Sequence, residues 1–148
     1  KVLRDAAKSV FIEGIGALRH EQHLAWILPC DCSQASGCFA AQTRIGRENR
    51  PTAVFCASDQ LAMGFISELS RRNFKVPDDV SIMGFDDIDL AEQFIPPLTS
   101  MRQDRLLLGE TAAAMLLERL ESPEGAGSEH AAVIPVSLII RGSTAAPR

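Results

Sequence analysis

Basic blocks are missing from this 148-residue chain: its densest cationic pair is Arg71–Arg72, and its formal net charge is −4. Holding nucleic acid through many phosphate contacts needs a basic face, so these residues are not expected to touch DNA themselves. Long apolar runs are missing too. None approaches the roughly 20 residues that span a bilayer, which excludes a membrane helix. The opening residues, KVLRDAAKSVF, are charged and hold no apolar export-signal core, so the expected location is the cytoplasm. No Gly-x-Ser-x-Gly elbow and no phosphate-cradling loop occurs, and the GIG of Gly14–Gly16 has no strand ahead of it. No catalytic residue, cofactor or enzyme activity is therefore expected.

The cysteines are few and poorly spaced for metal. Cys30, Cys32 and Cys38 lie in CDCSQASGC, with Cys56 further on, and the histidines (His20, His23, His130) lie elsewhere. Structural zinc sites use cysteine pairs two to four residues apart backed by a second pair or by histidines. The expectation is reduced thiols, with Cys56 a small buried hydrophobe. Asp86, Asp87 and Asp89 crowd together, but no glycine-bearing loop follows that would wrap calcium.

What is present is enough apolar material for a core: 46% hydrophobic and 23% charged residues, in a length that suits one domain. Helices are predicted over Ser9–His20, over SQASGCFAAQTRI with Ser33 as N-cap, and over Asp59–Arg72. Between them lie HLAWIL, AVFCA and VSIMGF, strands that are apolar throughout. Trp26 falls on the first of these and is read as core. Strands without polar alternation, separated by helices, belong to parallel sheets covered on both faces. The fold class is thus α/β, a parallel sheet flanked by helices. PPLTSMRQD reads as a Pro-led crossing segment and RLLLGETAAAMLLERL as a strong helix with Leu106, Ala113, Leu116, Leu117 and Leu120 on one face. ESPEGAGSEH is a flexible loop, and AAVIPVSLIIRGST is a final strand that Pro135 places at an edge or irregularity.

In open parallel sheets ligands sit beyond the carboxyl ends of strands. Two strands here end in short acceptors: AVFCA runs into Ser58 and Asp59, and VSIMGF runs into Asp86 and Asp87. One polar site shared between the two strand ends is the simplest reading. An ionised carboxylate offers several acceptor positions, which suits a diol or amine. Asp59 is expected instead to cap its helix.

Five segments taken in order, ASDQLAMG, VPDDVSIMGFDD, IPPLTSMRQD, GETAAAMLLERL and VSLIIRGST, resemble the effector-binding core of the lactose-repressor (LacI/GalR-type) family of bacterial transcription regulators. The likeness is dense from Pro51 to Thr144 and thinner from Ser9 to Gly46. It implies one lobe of a periplasmic-binding-protein-like (type I) fold, with a small polar effector such as a sugar held between two lobes, and a homodimer. It also implies that DNA is reached only through a headpiece, which these 148 residues do not contain. The division it implies is residues 1–102 for the carboxyl-terminal lobe, 103–130 for a crossover helix and loop, and 131–148 for a final strand and tail. A sugar-binding protein of a transport system shares this fold class and stands as the alternative, ahead of a flavodoxin-like enzyme.

The resemblance gives Asp86 and Ser58 to the effector. It brings Phe11 and Cys32 to effector-facing positions as well, where the family commonly has an Arg and an aromatic ring; their replacement points to a less anionic or more apolar ligand. It also implies a dimer interface over Gln60, Leu61, Met63, Gly64 and Phe65 and over Leu90, Phe94, Ile95 and Pro97. With little of a first lobe in the sequence, the leucine face of the crossover helix is expected to pack on another molecule.

Overall fold

A computed structural model describes residues 27–46, 50–121 and 131–146. Phe11, Trp26 and the helix expected over Ser9–His20 lie outside the described residues. Of the expected strand HLAWIL only Ile27 and Leu28 are described, and they form no strand.

The elements run α1 (Gln34–Arg44), β1 (Ala53–Phe55), α2 (Asp59–Arg71), β2 (Ser81–Asp86), α3 (Leu90–Gln93), β3 (Thr99–Gln103), α4 (Arg105–Glu121) and β4 (Val136–Ile139). The strands form one sheet in the order β1-β2-β3-β4. β1 pairs parallel with β2, setting Phe55 beside Met83; β2 pairs parallel with β3, setting Asp86 beside Arg102. β4 closes the far edge antiparallel to β3, with Gln103 beside Val136, and Pro135 stands just ahead of it. The segment read as a crossing piece is therefore a third sheet strand. TSMRQ carries little apolar signal because its inward contacts are made by hydroxyls rather than hydrocarbon.

Serines start the two long inner helices. Ser33 Oγ accepts from Ser36 N, and Ser58 Oγ accepts from Leu61 N at 3.2 Å. Each satisfies one of the amide donors that a helix leaves orphaned at its first turn. α2 ends where Asn73 adopts φ 61°, a left-handed geometry that Asn tolerates, and Phe74 N returns to Leu69 O.

The core lies between α1, α2 and the sheet, around Ile45, Met63, Phe65, Ile66, Leu69, Val80, Ile82 and Leu98. Each such side chain contributes about 1.5–3 kcal/mol on burial. α1 and α2 cross so closely that only glycines fit. A β-carbon on Gly37 would run into the Leu61 carbonyl, and one on Gly64 into the Gln34 backbone. α2 is thus apolar on two sides because α1 covers one and β2 the other. This corrects the interface expected from the sequence: Met63, Gly64 and Phe65 are buried by the chain's own elements. Leu61 and Phe94 are half-buried, whereas Gln60, Leu90, Ile95 and Pro97 are exposed.

α4 stands apart, with no buried residue; Leu116 is 60% exposed and Leu120 67%. Its leucine face does not fold back onto the sheet, and no described part of the chain covers it. No helix among the described residues is long and apolar enough to cross a membrane.

Candidate functional site

Ser58 lies three residues past β1's last residue, Phe55, and Asp86 ends β2, its neighbour in the sheet. Both acceptors picked from the sequence thus sit at the carboxyl end of one parallel sheet. The backbone there is unusual. Asp86 has φ 110° and Asp87 φ 53°, two successive left-handed residues, neither a glycine. Such backbone is held only where its surroundings determine it, and it concentrates at functional sites. Here it turns the chain sharply off the strand end and sends the two carboxylates to different environments.

Asp86 is half-buried. Its Oδ1 accepts from Gln103 Nε2 at 2.6 Å, and its Oδ2 has no partner among the described residues. Burial raises its carboxyl above the ordinary aspartate range, against the lowering effects of the Gln103 bond and the Arg105 charge. One held oxygen and one open oxygen suit a group that accepts from a ligand.

Asp87 faces inward. Its Oδ2 accepts from Arg102 Nε and its Oδ1 from Arg141 Nη1, each at 2.6 Å, while its backbone N donates to Ser100 Oγ at 3.2 Å. Burial pushes this carboxyl up, but the Arg141 and Arg102 bonds and charges outweigh it, and the net direction is down. With both oxygens taken by guanidinium groups, Asp87 has no face for a metal. Among the described residues no group of three or more His, Cys, Asp or Glu side chains is placed to hold one.

Ser58, not Asp59, caps α2. Ser58 is 6% exposed, and its hydroxyl also donates to the Cys32 carbonyl at 3.2 Å. Asp59, fully buried, does not cap its helix. Its Oδ1 accepts from Ser100 Oγ at 2.6 Å and its Oδ2 from Ile88 N at 2.8 Å. It thereby ties the start of α2 to β3 and to the turn after β2. Burial raises the Asp59 carboxyl most; the two hydrogen bonds lower it, and the Asp86 and Asp87 charges raise it further. Gly84 in β2 makes room for this carboxylate, since a β-carbon there would strike Asp59 Oδ1.

Cys32 is exposed at the same rim, bound to Ser58 through its carbonyl. The Cys56 thiol is buried and pushed up to about 12 by burial, with smaller effects from Cys30 and Asp59. All four thiols are free. A shallow depression lined by Leu28, Arg44, Pro51, Ala53, Val54 and Phe65 lies at the opposite end of β1 and is not part of this site.

Sequence reasoning brought Asp86, Ser58 and Cys32 to one rim but missed Gln103, Ser100, Arg102 and Arg141. The polar run MRQD at the end of a strand was the available signal for Gln103.

Residues 15–144 match the periplasmic binding protein-like domain family. The HTH-type transcriptional repressor PurR of Vibrio campbellii (strain ATCC BAA-1116) is 42% identical over 99 residues, covering 67% of this chain and 30% of that protein. A LacI family transcriptional regulator from Enterococcus faecalis V583, solved with bound ribose, superposes with a TM-score of 0.71 at 34% identity, covering 82% of this chain and 44% of the other. The transcriptional regulator CelR in complex with cellobiose gives a TM-score of 0.76 at 30% identity, covering 88% and 39%. The chain spans about a third of the length of the curated relatives it matches. A match over nearly the whole length, with a parallel sheet and strand-end acceptors to go with it, fixes the assignment: the chain belongs to the periplasmic binding protein-like domain family, as part of an effector-binding domain of the lactose-repressor (LacI/GalR) type.

Proposed function

We propose that this chain is the effector-sensing part of a cytoplasmic transcriptional regulator and that it carries out no catalysis. Its ligand is a small polar metabolite, a sugar or a compound of similar hydrogen-bonding character, held at the carboxyl ends of β1, β2 and β3. The observation that carries the reading is Asp86, a carboxylate at a strand end with one oxygen fixed by Gln103 and the other without a partner among the described residues. Such an acceptor takes hydroxyl or amine donors. A repressor among the relatives and sugar-bound regulators among the solved neighbours favour a regulator over a transport protein.

Ser58 plays a supporting part: it caps α2 and pins Cys32 at the rim. The regulator acts as a homodimer through the exposed surface that includes Gln60, Leu90, Ile95 and Pro97, and it reaches DNA through a separate headpiece.

The test is calorimetry on the full-length regulator with a panel that includes ribose, cellobiose and nucleobases. A panel member that binds wild type is expected to bind Asp86→Ala at least about tenfold more weakly, since a hydrogen bond to a charged group is worth about 1.5–3 kcal/mol. Undiminished binding by the variant removes Asp86 from the site and the reading with it.

A further inference from the structure

We propose that Asp87 and Arg141 are positioning residues for Asp86: the guanidinium of Arg141 pins the Asp87 carboxylate and thereby holds the left-handed turn that aims Asp86 out of the strand end. This deepens the reading of Asp86 as the ligand's acceptor and rests on it.

The turn cannot hold itself. Two consecutive non-glycine residues with φ of 110° and 53° are disfavoured and relax unless something fixes them. Asp87 is the fixed point. Its side chain is 3% exposed, and each of its carboxylate oxygens receives a guanidinium N–H. The two donors differ. Arg102 is 56% exposed and can reorient in water, whereas Arg141 is 13% exposed. Arg141 is anchored twice more, through Nη1 to the Leu98 carbonyl at 2.8 Å and through its backbone N to Thr99 Oγ1 at 2.9 Å. From behind, Ser100 Oγ accepts a hydrogen bond from the Asp87 amide and donates one to Asp59 Oδ1, while Asp59 Oδ2 accepts from the Ile88 amide. The residues flanking Asp86 on its carboxyl side, Asp87 and Ile88, are thus gripped through backbone and side chain. Among the described residues the Asp86 carboxylate has Gln103 as its one hydrogen-bond partner, which leaves its other oxygen to face outward.

The arrangement also reaches across the sheet. Arg141 follows β4 and Arg102 lies in β3, so the strands that lead to and from α4 both end on Asp87. A shift of either strand moves the pin, and through it the acceptor.

Carbon-detected NMR titration of the Asp86 carboxyl tests this without a ligand, in wild type, Arg141→Met, Arg141→Lys and Arg102→Met. The wild-type midpoint is expected above the ordinary aspartate value because burial raises the Asp86 carboxyl. If Arg141 positions the turn, Arg141→Met lets Asp86 swing into water, and its midpoint falls toward about 3.9. Loss of a nearby cation alone acts in the opposite direction and raises the midpoint. Lys keeps the charge and the donors but on a compact, strongly hydrated ammonium at the end of a differently shaped stem, so Arg141→Lys falls in between. Arg102→Met, at a more exposed donor, produces a smaller fall. A midpoint that stays in place or rises in a folded Arg141→Met chain overturns the proposal. Should that variant unfold, the Arg141→Lys and Arg102→Met titrations decide on the same terms. Unchanged midpoints here together with weakened ligand binding by Asp86→Ala would sink the positioning role alone. Falling midpoints with undiminished Asp86→Ala binding would sink the ligand site alone.

Discussion

One substitution made at two glycines should have opposite effects. At Gly64 the added β-carbon lies 2.9 Å from Gln34 Cα and closer still to the Gln34 carbonyl. Ordinary contact distances are half an ångström or more longer, and both opposing atoms are backbone, so no rotamer change relieves the clash. α1 and α2 must separate, loosening the packing around Phe65 and Ala41. Overpacking of this kind costs about 1–3 kcal/mol. Alanine's better helix propensity returns about 1 kcal/mol, which leaves Gly64→Ala up to about 2 kcal/mol less stable. Gly109, within α4, has open space where its β-carbon would go. Gly109→Ala should therefore gain up to about 1 kcal/mol. Urea unfolding followed by circular dichroism reads both. With a slope of about 2 kcal/mol per molar, the midpoint falls by up to about 1 M for Gly64→Ala and rises for Gly109→Ala. A Gly64→Ala chain as stable as Gly109→Ala would refute the close helix crossing and return Gly64 to the surface.

Two further expectations concern the acidic site. Ser58→Ala should cost about 1 kcal/mol of unfolding free energy through loss of the α2 cap, with ligand affinity changing less than in Asp86→Ala; unchanged stability with lost binding would make Ser58 a direct contact after all. Asp59→Asn should show a pH signature. The folded Asp59 carboxyl is raised by burial, so it favours the protonated form, and its contribution to stability is complete below the unfolded value of about 3.9 and lost as pH rises through the folded value. Asn does not titrate, so urea unfolding at about pH 4 and pH 7 should show the wild-type advantage over Asp59→Asn shrinking toward neutrality; an advantage that grows with pH contradicts the buried assignment.

What the sequence revealed was what local pattern can carry. An unbroken apolar strand that stops at Asp86 marks both a buried strand and a polar rim, and both are where the pattern put them. The caps were half legible. SDQL offers two possible capping residues, and only the path of the chain decides that Ser58 turns back to its helix while Asp59 reaches forward. The partners of the acidic cluster were not legible, because they are remote: Ser100 is 41 residues from Asp59, and Arg141 is 54 residues from Asp87. β3 was hidden by composition, since Thr99 and Ser100 are buried through hydroxyl bonds to Ser143, Thr144 and Asp59. The surplus of apolar residues on α2 was real but misassigned. A helix between another helix and a sheet needs two apolar faces, and counting alone does not separate that case from one core face plus a subunit interface.

The pairing of β3 with β4 bears on movement. The chain leaves the sheet along β3, forms α4, and comes back along β4, with four facing pairs from Ser100–Ile139 to Gln103–Val136. Those pairs lie inside the sheet, because the same stretch of β3 also pairs with β2. The two roots of the excursion that carries α4 are therefore tied to each other, and a displacement of one root is passed to the other along the ladder.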